Sequence, residues 1–103
     1  MEIITVEELK ERIDGGERLN LLDVREPSEN LEFNIGGILV PLGRVRNMEV
    51  EEIEDWKNQE IICYCRSGNR SGQACLLLET LGFTNTKNLL GGMLAWQEKY
   101  GSR

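Results

Sequence analysis

Glu60-Ile61-Ile62-Cys63-Tyr64 followed by Cys65-Arg66-Ser67-Gly68-Asn69-Arg70-Ser71-Gly72 joins the clearest strand signal in the chain to its clearest helix. The first five residues form a short, mostly apolar run rich in β-formers, as a buried strand requires. From about Arg70 to Leu81, the residues Ala74, Leu77, Leu78 and Leu81 recur at helical spacing, and Gly82 is a fitting C-terminal stop. Working outward toward the N-terminus, Ile38-Leu39-Val40 reads as a short strand stopped by Pro41, and Leu19 to Val24 as a buried one. Before them, Ile3-Ile4 is a brief apolar start. Thr5 and Glu8 then have capping-box spacing, with Val6, Leu9 and Ile13 on one helical face and Gly15-Gly16 ending the helix. Val50, Ile53 and Trp56 suggest a weakly amphipathic helix among acidic residues. Toward the C-terminus, Leu89-Leu90 reads as a last strand after Thr86-Lys87-Asn88, and Gly91-Gly92 opens a helix through Met93, Leu94 and Trp96.

Alternation of strand and helix implies an α/β fold with a mainly parallel sheet, right-handed crossovers and helices on both faces. At 103 residues the chain reads as one domain, 1–103, able to bury one core. In such sheets ligands sit beyond the carboxyl ends of the strands, and the segment after Tyr64 is such an end.

Composition narrows the chemistry. Twelve basic against eighteen acidic side chains give a net charge of −6, which argues against nucleic-acid binding and requires any anion site to be local. There is no histidine, so Ser-His and Cys-His catalysis and imidazole metal sites are excluded. The three cysteines, Cys63, Cys65 and Cys75, have no Cys-x-x-Cys spacing, and neither a disulfide framework nor a metal site is expected. No apolar run approaches the ~18 residues of a membrane span, and the first residues lack the basic start and apolar stretch of a secretory signal. A cytoplasmic location and no membrane association are the expectations, with monomer as the default.

The segment from Cys65 to Gly72 concentrates reactive features. Its thiol faces the start of the following helix, where unpaired N–H groups and the macrodipole favour negative charge. Arg66 and Arg70 add two permanent cations, and Gly68 lets the loop curl its N–H groups inward. All three effects favour a thiolate, so Cys65 can act as a nucleophile without a histidine base. Cys63, inside the strand, and Cys75, inside the helix, read instead as small core residues.

Cys-Arg-Ser-Gly-Asn-Arg-Ser at Cys65 to Ser71 closely resembles the active-site loop of single-domain rhodanese-like sulfurtransferases. Leu21-Leu22-Asp23-Val24-Arg25-Glu26 resembles that family's first signature, and Gly91-Gly92-Met93-Leu94-Ala95-Trp96 its last. The resemblance implies a parallel five-stranded sheet wrapped by helices. It implies sulfane sulfur transfer in two steps through a Cys65 persulfide, with no metal and no organic cofactor. Arg66, Ser67, Gly68, Asn69, Arg70 and Ser71 would bind the substrate, the loop N–H groups and Arg66 stabilising persulfide and leaving sulfite. Arg70 would brace the loop or bind an anionic donor. Asp23 and Arg25 would support the loop, Asp23 as partner of a loop arginine; the plainer reading is a surface ion pair of little worth. Met93 and Trp96 are expected in the core. Partners would be a small sulfur-containing anion or a protein persulfide, with a possible acceptor protein.

The sequence departs from the family at Asn34-Ile35-Gly36-Gly37-Ile38, where His-Ile-Pro-Gly-Ala is common. Replacing proline by Gly36 loosens the chain and bears on the pocket wall more than on the reaction. Two other functions fit parts of the pattern. A carrier module would pass a persulfide between proteins with little turnover of free thiosulfate. A cysteine phosphatase or arsenate reductase would need a Cys-x5-Arg loop, whereas four residues separate Cys65 from Arg70.

Overall fold

Strand β4 (Glu60–Tyr64) sets the architecture, because its side chains feed two separate cores. Ile61 and Cys63, with Cys65 just beyond the strand, pack on one side, while Ile62 and Tyr64 pack on the other. All five residues from Ile61 to Cys65 are buried to within 1%. That is the two-residue alternation of a strand covered on both faces. Burying each such side chain contributes about 1.5–3 kcal/mol, so β4 is the hydrophobic axis of the molecule.

The computed structural model describes residues 1–102. Around β4 lie β1 (Glu2–Ile4), β2 (Leu21–Asp23), β3 (Ile38–Leu39) and β5 (Asn85–Leu89), in the order β1-β5-β4-β2-β3. Every pairing is parallel. Helices α1 (Val6–Asp14) and α5 (Gly92–Tyr100) cover one face, where Val6, Leu9, Met93 and Trp96 meet Ile62 and Tyr64. Helices α3 (Leu42–Arg46) and α4 (Asn69–Thr80) cover the other, with the 3₁₀ segment Glu51–Trp56. There Leu42, Val45, Ile53, Ala74, Cys75 and Leu78 meet Ile61 and Cys63. Helix α2 (Pro27–Glu32) lies between β2 and β3 in the chain.

The capping box read at Thr5 is present: Glu8 N–H donates to Thr5 Oγ1 at 3.1 Å and Thr5 N–H to Glu8 Oε1 at 3.0 Å. Met93 and Trp96 are core residues, as are Cys63 and Cys75. Two expectations need correction. The last strand is Asn85–Leu89 rather than Leu89-Leu90, so Thr86, Lys87 and Asn88 belong to it. The segment around Ile53 is 3₁₀ with a kink at that residue, not an amphipathic α-helix. Helices α2 and α3 were not anticipated; at six and five residues they carry too short an apolar pattern to read. Among the described residues, no helix is long and apolar enough to cross a membrane.

Candidate active site

The segment from Cys65 to Gly68 leaves the carboxyl end of β4 and enters α4, whose N-cap is Gly68 with φ +103°. The loop closes around the Cys65 sulfur. Gly68 N–H donates to Sγ at 3.0 Å, and Ser71 Oγ lies 3.3 Å from it. Burial pushes the Cys65 thiol up, but the Ser71 hydroxyl and the N–H groups of Ser71, Gly68 and Ser67 outweigh it, leaving the thiol below its ordinary value. The Gly68 amide and the Ser71 hydroxyl are thus the groups hydrogen-bonded to the sulfur.

Cys65 is wholly buried, so its sulfur is enclosed by the loop. Arg70 turns away to pair with Glu29 through both terminal nitrogens, at 2.7 and 2.9 Å. That pair holds the Glu29 carboxyl down to about 2. Arg66 is exposed and makes no ion pair among the described residues. Ser67 and Asn69 are exposed on the loop.

Asp23 is not the partner of a loop arginine. It is fully buried and accepts from Arg25 Nε and Nη2 at 2.9 Å each, from Arg25 N–H at 3.0 Å and from Asn30 Nδ2 at 2.9 Å. Arg25 is itself only 5% exposed, so this is a buried pair with its charge fully answered, not a surface one. Arg25 Nη2 also donates to the Phe33 carbonyl, tying β2 to the segment after α2. The departure at Gly36 has a backbone reason: its φ is +95°, which proline cannot adopt. Asn34 fills the preceding turn, accepting from Gly36 N–H at 2.8 Å and donating to the Asn30 carbonyl at 2.9 Å.

Asn88 and Gly92 complete the site and were not picked out as site residues from the sequence. Asn88, opposite Cys63 in the β4–β5 register, donates from Nδ2 to the Gly68 carbonyl at 2.9 Å and accepts from Ser71 Oγ at 2.5 Å. It thus holds both groups that face the sulfur. The N–H groups of Met93 and Leu94, at the start of α5, donate to the Cys65 and Arg66 carbonyls at 2.9 Å each. A Cβ on Gly92 would lie 2.4 Å from the Cys65 carbonyl oxygen, so only glycine permits this approach. With its carbonyls occupied from behind, the loop can aim its amides at the sulfur. A buried polar residue in β5 was the one sequence signal for Asn88, and it needed the strand register to be read.

Cys63 and Cys75 are also wholly buried. Hydrogen bonding to Cys75 and complete burial hold the Cys63 thiol well above its ordinary value. Among the described residues, no group of His, Cys, Asp or Glu is arranged to hold a metal ion.

Residues 5–99 match the model of the rhodanese-like domain. The chain belongs to the rhodanese-like domain family. This rhodanese-like domain is 39% identical over 96 residues to the putative sulfurtransferase YtwF of Bacillus subtilis strain 168, spanning 91% of this chain and 88% of that protein. It is 38% identical over 97 residues to the putative sulfur carrier protein YrkF of the same organism, covering 93% of this chain but only about half, 51%, of that protein. Among solved structures it superposes on the human single-domain sulfurtransferase TSTD1 with a TM-score of 0.81 and 25% identity, covering 96% of this chain and 97% of that one.

Proposed function

We propose that this domain transfers sulfane sulfur through a persulfide on Cys65. The observation that carries the reading is the hydrogen-bonded enclosure of Sγ by Gly68 N–H and Ser71 Oγ. It favours a thiolate, which is the attacking species in sulfur exchange. With thiosulfate as donor, the Cys65 thiolate attacks the outer sulfur. A Cys65–sulfur bond forms, the bond to the sulfonyl group breaks, and sulfite leaves with the electron pair. An acceptor nucleophile such as cyanide or a thiolate then attacks the outer persulfide sulfur and returns Cys65 as thiolate to the same amides. A persulfide donor enters by the same exchange, with a thiolate leaving instead of sulfite. Arg66, the loop cation without an ion pair, assists the anionic leaving group. Arg70 braces the loop through Glu29 on α2.

The Cys65 sulfur is enclosed, and Arg66, Ser67 and Asn69 are the exposed residues of the loop around it. That enclosure, with the acidic surface, favours a second reading as a carrier that exchanges persulfide with a docked protein and turns over free thiosulfate poorly. Arg70, held by Glu29 through both nitrogens, is poorly placed to grip a phosphate, which weighs against a phosphatase.

Intact-protein mass spectrometry after exposure to thiosulfate tests the proposal. One added sulfur is expected on wild type, removable by cyanide, and none on Cys65→Ser. An adduct retained by the variant would transfer the chemistry to another cysteine. Loading from a protein persulfide but not from thiosulfate would favour the carrier.

A further inference from the structure

Between α1 and α5 lies a groove of about 480 Å³, separate from the enclosure of Cys65. Val6 from α1, Leu90 from the turn after β5 and Ala95 from α5 give it an apolar lining. Leu90 immediately precedes Gly91, the N-cap of α5, and Ala95 is the fourth residue of that helix. The two therefore stand at the spacing of a hydrophobic staple. Yet Leu90 stays 56% exposed, and Leu94, in the first turn of α5, 45%. Single exposed leucines are ordinary, but two together beside an apolar groove make an interaction surface.

The charges that line the groove indicate what covers it. Glu7 from α1 and Lys99 from α5 pair with each other. Glu98 is exposed and makes no ion pair among the described residues. The one charge left unanswered is negative, on a chain whose net charge is −6. An apolar lining beside a free carboxylate complements a segment that sets an apolar side chain next to a cation. The volume lies within the roughly 300–1,000 Å³ of small-ligand pockets, so a short segment fills it and a flat protein face does not.

One turn of backbone links the groove to the reactive loop. Gly91 lines the groove, and just beyond it Met93 and Leu94 donate their N–H groups to the Cys65 and Arg66 carbonyls at 2.9 Å each. We propose that the groove between α1 and α5 docks a short apolar and cationic segment of the protein that exchanges sulfur with Cys65. The apolar side chain packs on Val6, Leu90 and Ala95, and the ammonium or guanidinium meets Glu98. No bond is made or broken in the groove. Docking raises the effective concentration of the partner's thiol or persulfide at the loop.

The partner's role rests on the persulfide reading above, whereas the docking geometry does not, and two measurements keep them apart. In the first, the amide resonances of the protein are followed during titration with blocked hexapeptides that alternate leucine with lysine, or serine with lysine. The leucine–lysine peptide is expected to shift Val6, Leu90 and Ala95 and to bind about tenfold more tightly, the scale of burying one leucine. Leu90→Ser should remove most of that advantage. Glu98→Gln should weaken binding about threefold, the scale of one exposed ion pair, while Asp55→Asn, an equal charge change on the 3₁₀ segment, leaves it unchanged. In the second, protein loaded with sulfur on Cys65, its load verified by mass, is discharged by the same two peptides extended with a cysteine. The leucine–lysine peptide should discharge it faster, and Leu90→Ser should erase the difference. Failure to load would sink the persulfide reading alone. Shifts scattered over the acidic surface, equal binding of the two peptides, equal effects of Glu98→Gln and Asp55→Asn, or one discharge rate for both peptides would each overturn the docking inference.

Discussion

Replacing Ser71 by alanine tests how the Cys65 sulfur is ionised. The Ser71 hydroxyl has one proton and two acceptors in reach, Asn88 Oδ1 at 2.5 Å and Cys65 Sγ at 3.3 Å. The Asn88 amide cannot flip to relieve this competition, because its Nδ2 is engaged by the Gly68 carbonyl at 2.9 Å. While Cys65 is a thiol, the shorter contact to Asn88 holds the proton; once Cys65 is a thiolate, the charge draws it to sulfur. A hydrogen bond to a charged group is worth roughly 1.5–3 kcal/mol, and surrendering the Asn88 contact places the net gain near the lower end. About 1.4 kcal/mol is a factor of ten in thiolate population. Below the thiol's titration midpoint, Ser71→Ala should therefore alkylate at Cys65 about tenfold more slowly, while the limiting rate at high pH is nearly unchanged. The assay is iodoacetamide labelling across pH, with peptide mapping to isolate Cys65 from Cys63 and Cys75. Circular dichroism confirms folding, since alanine suits α4 well. An unchanged pH profile in a folded variant would refute the idea that Ser71 stabilises the thiolate.

Asn88→Asp should slow alkylation of Cys65 more than Ser71→Ala does, because a carboxylate keeps the Ser71 proton, repels the thiolate and loses the donor to Gly68; the same labelling series reads it. Gly92→Ala places a Cβ 2.4 Å from the Cys65 carbonyl oxygen, so sulfur loading should be lost and thermal unfolding should occur at a lower temperature. The Arg70 pair depresses Glu29, and Arg12 and Lys87 depress Glu60, each to about 2. Folded pKa values below the unfolded ones mean that these pairs stabilise fully above about 4.5. Their contribution should fade as pH falls from about 4.5 to about 2, and acid unfolding of Glu29→Gln should show a smaller loss across that window.

Elements whose stability is written in local pattern were legible in the sequence. The β4 run, the Ala74-Leu77-Leu78-Leu81 face of α4 and the Thr5–Glu8 box all specify themselves within one turn or strand. Strand β5 was obscured because Thr86 and Asn88 are buried polar residues. Thr86 Oγ1 donates to Glu79 and Asn88 holds the active loop, partners that exist only after strands pair. The same limit applies to Arg70, whose partner Glu29 lies 41 positions away on a helix too short to read. The loop itself was legible as a curl of amides around Cys65, since Gly68 and the strand-to-helix junction dictate it. That the sulfur would be enclosed, with Ser71 and the Gly68 amide bonded to it, was not legible, because the contacts of α5 with the Cys65 and Arg66 carbonyls lie far along the chain.

The most direct measurement is the titration of Cys65 in the intact protein, followed by the carbon-13 shift of its Cβ. The thiolate cradle requires a midpoint clearly below the ~8.5 of a free cysteine, with Cys63 still protonated there. A midpoint at or above the free-cysteine value would mean that the amides do not hold a thiolate, and the persulfide mechanism would lose its nucleophile.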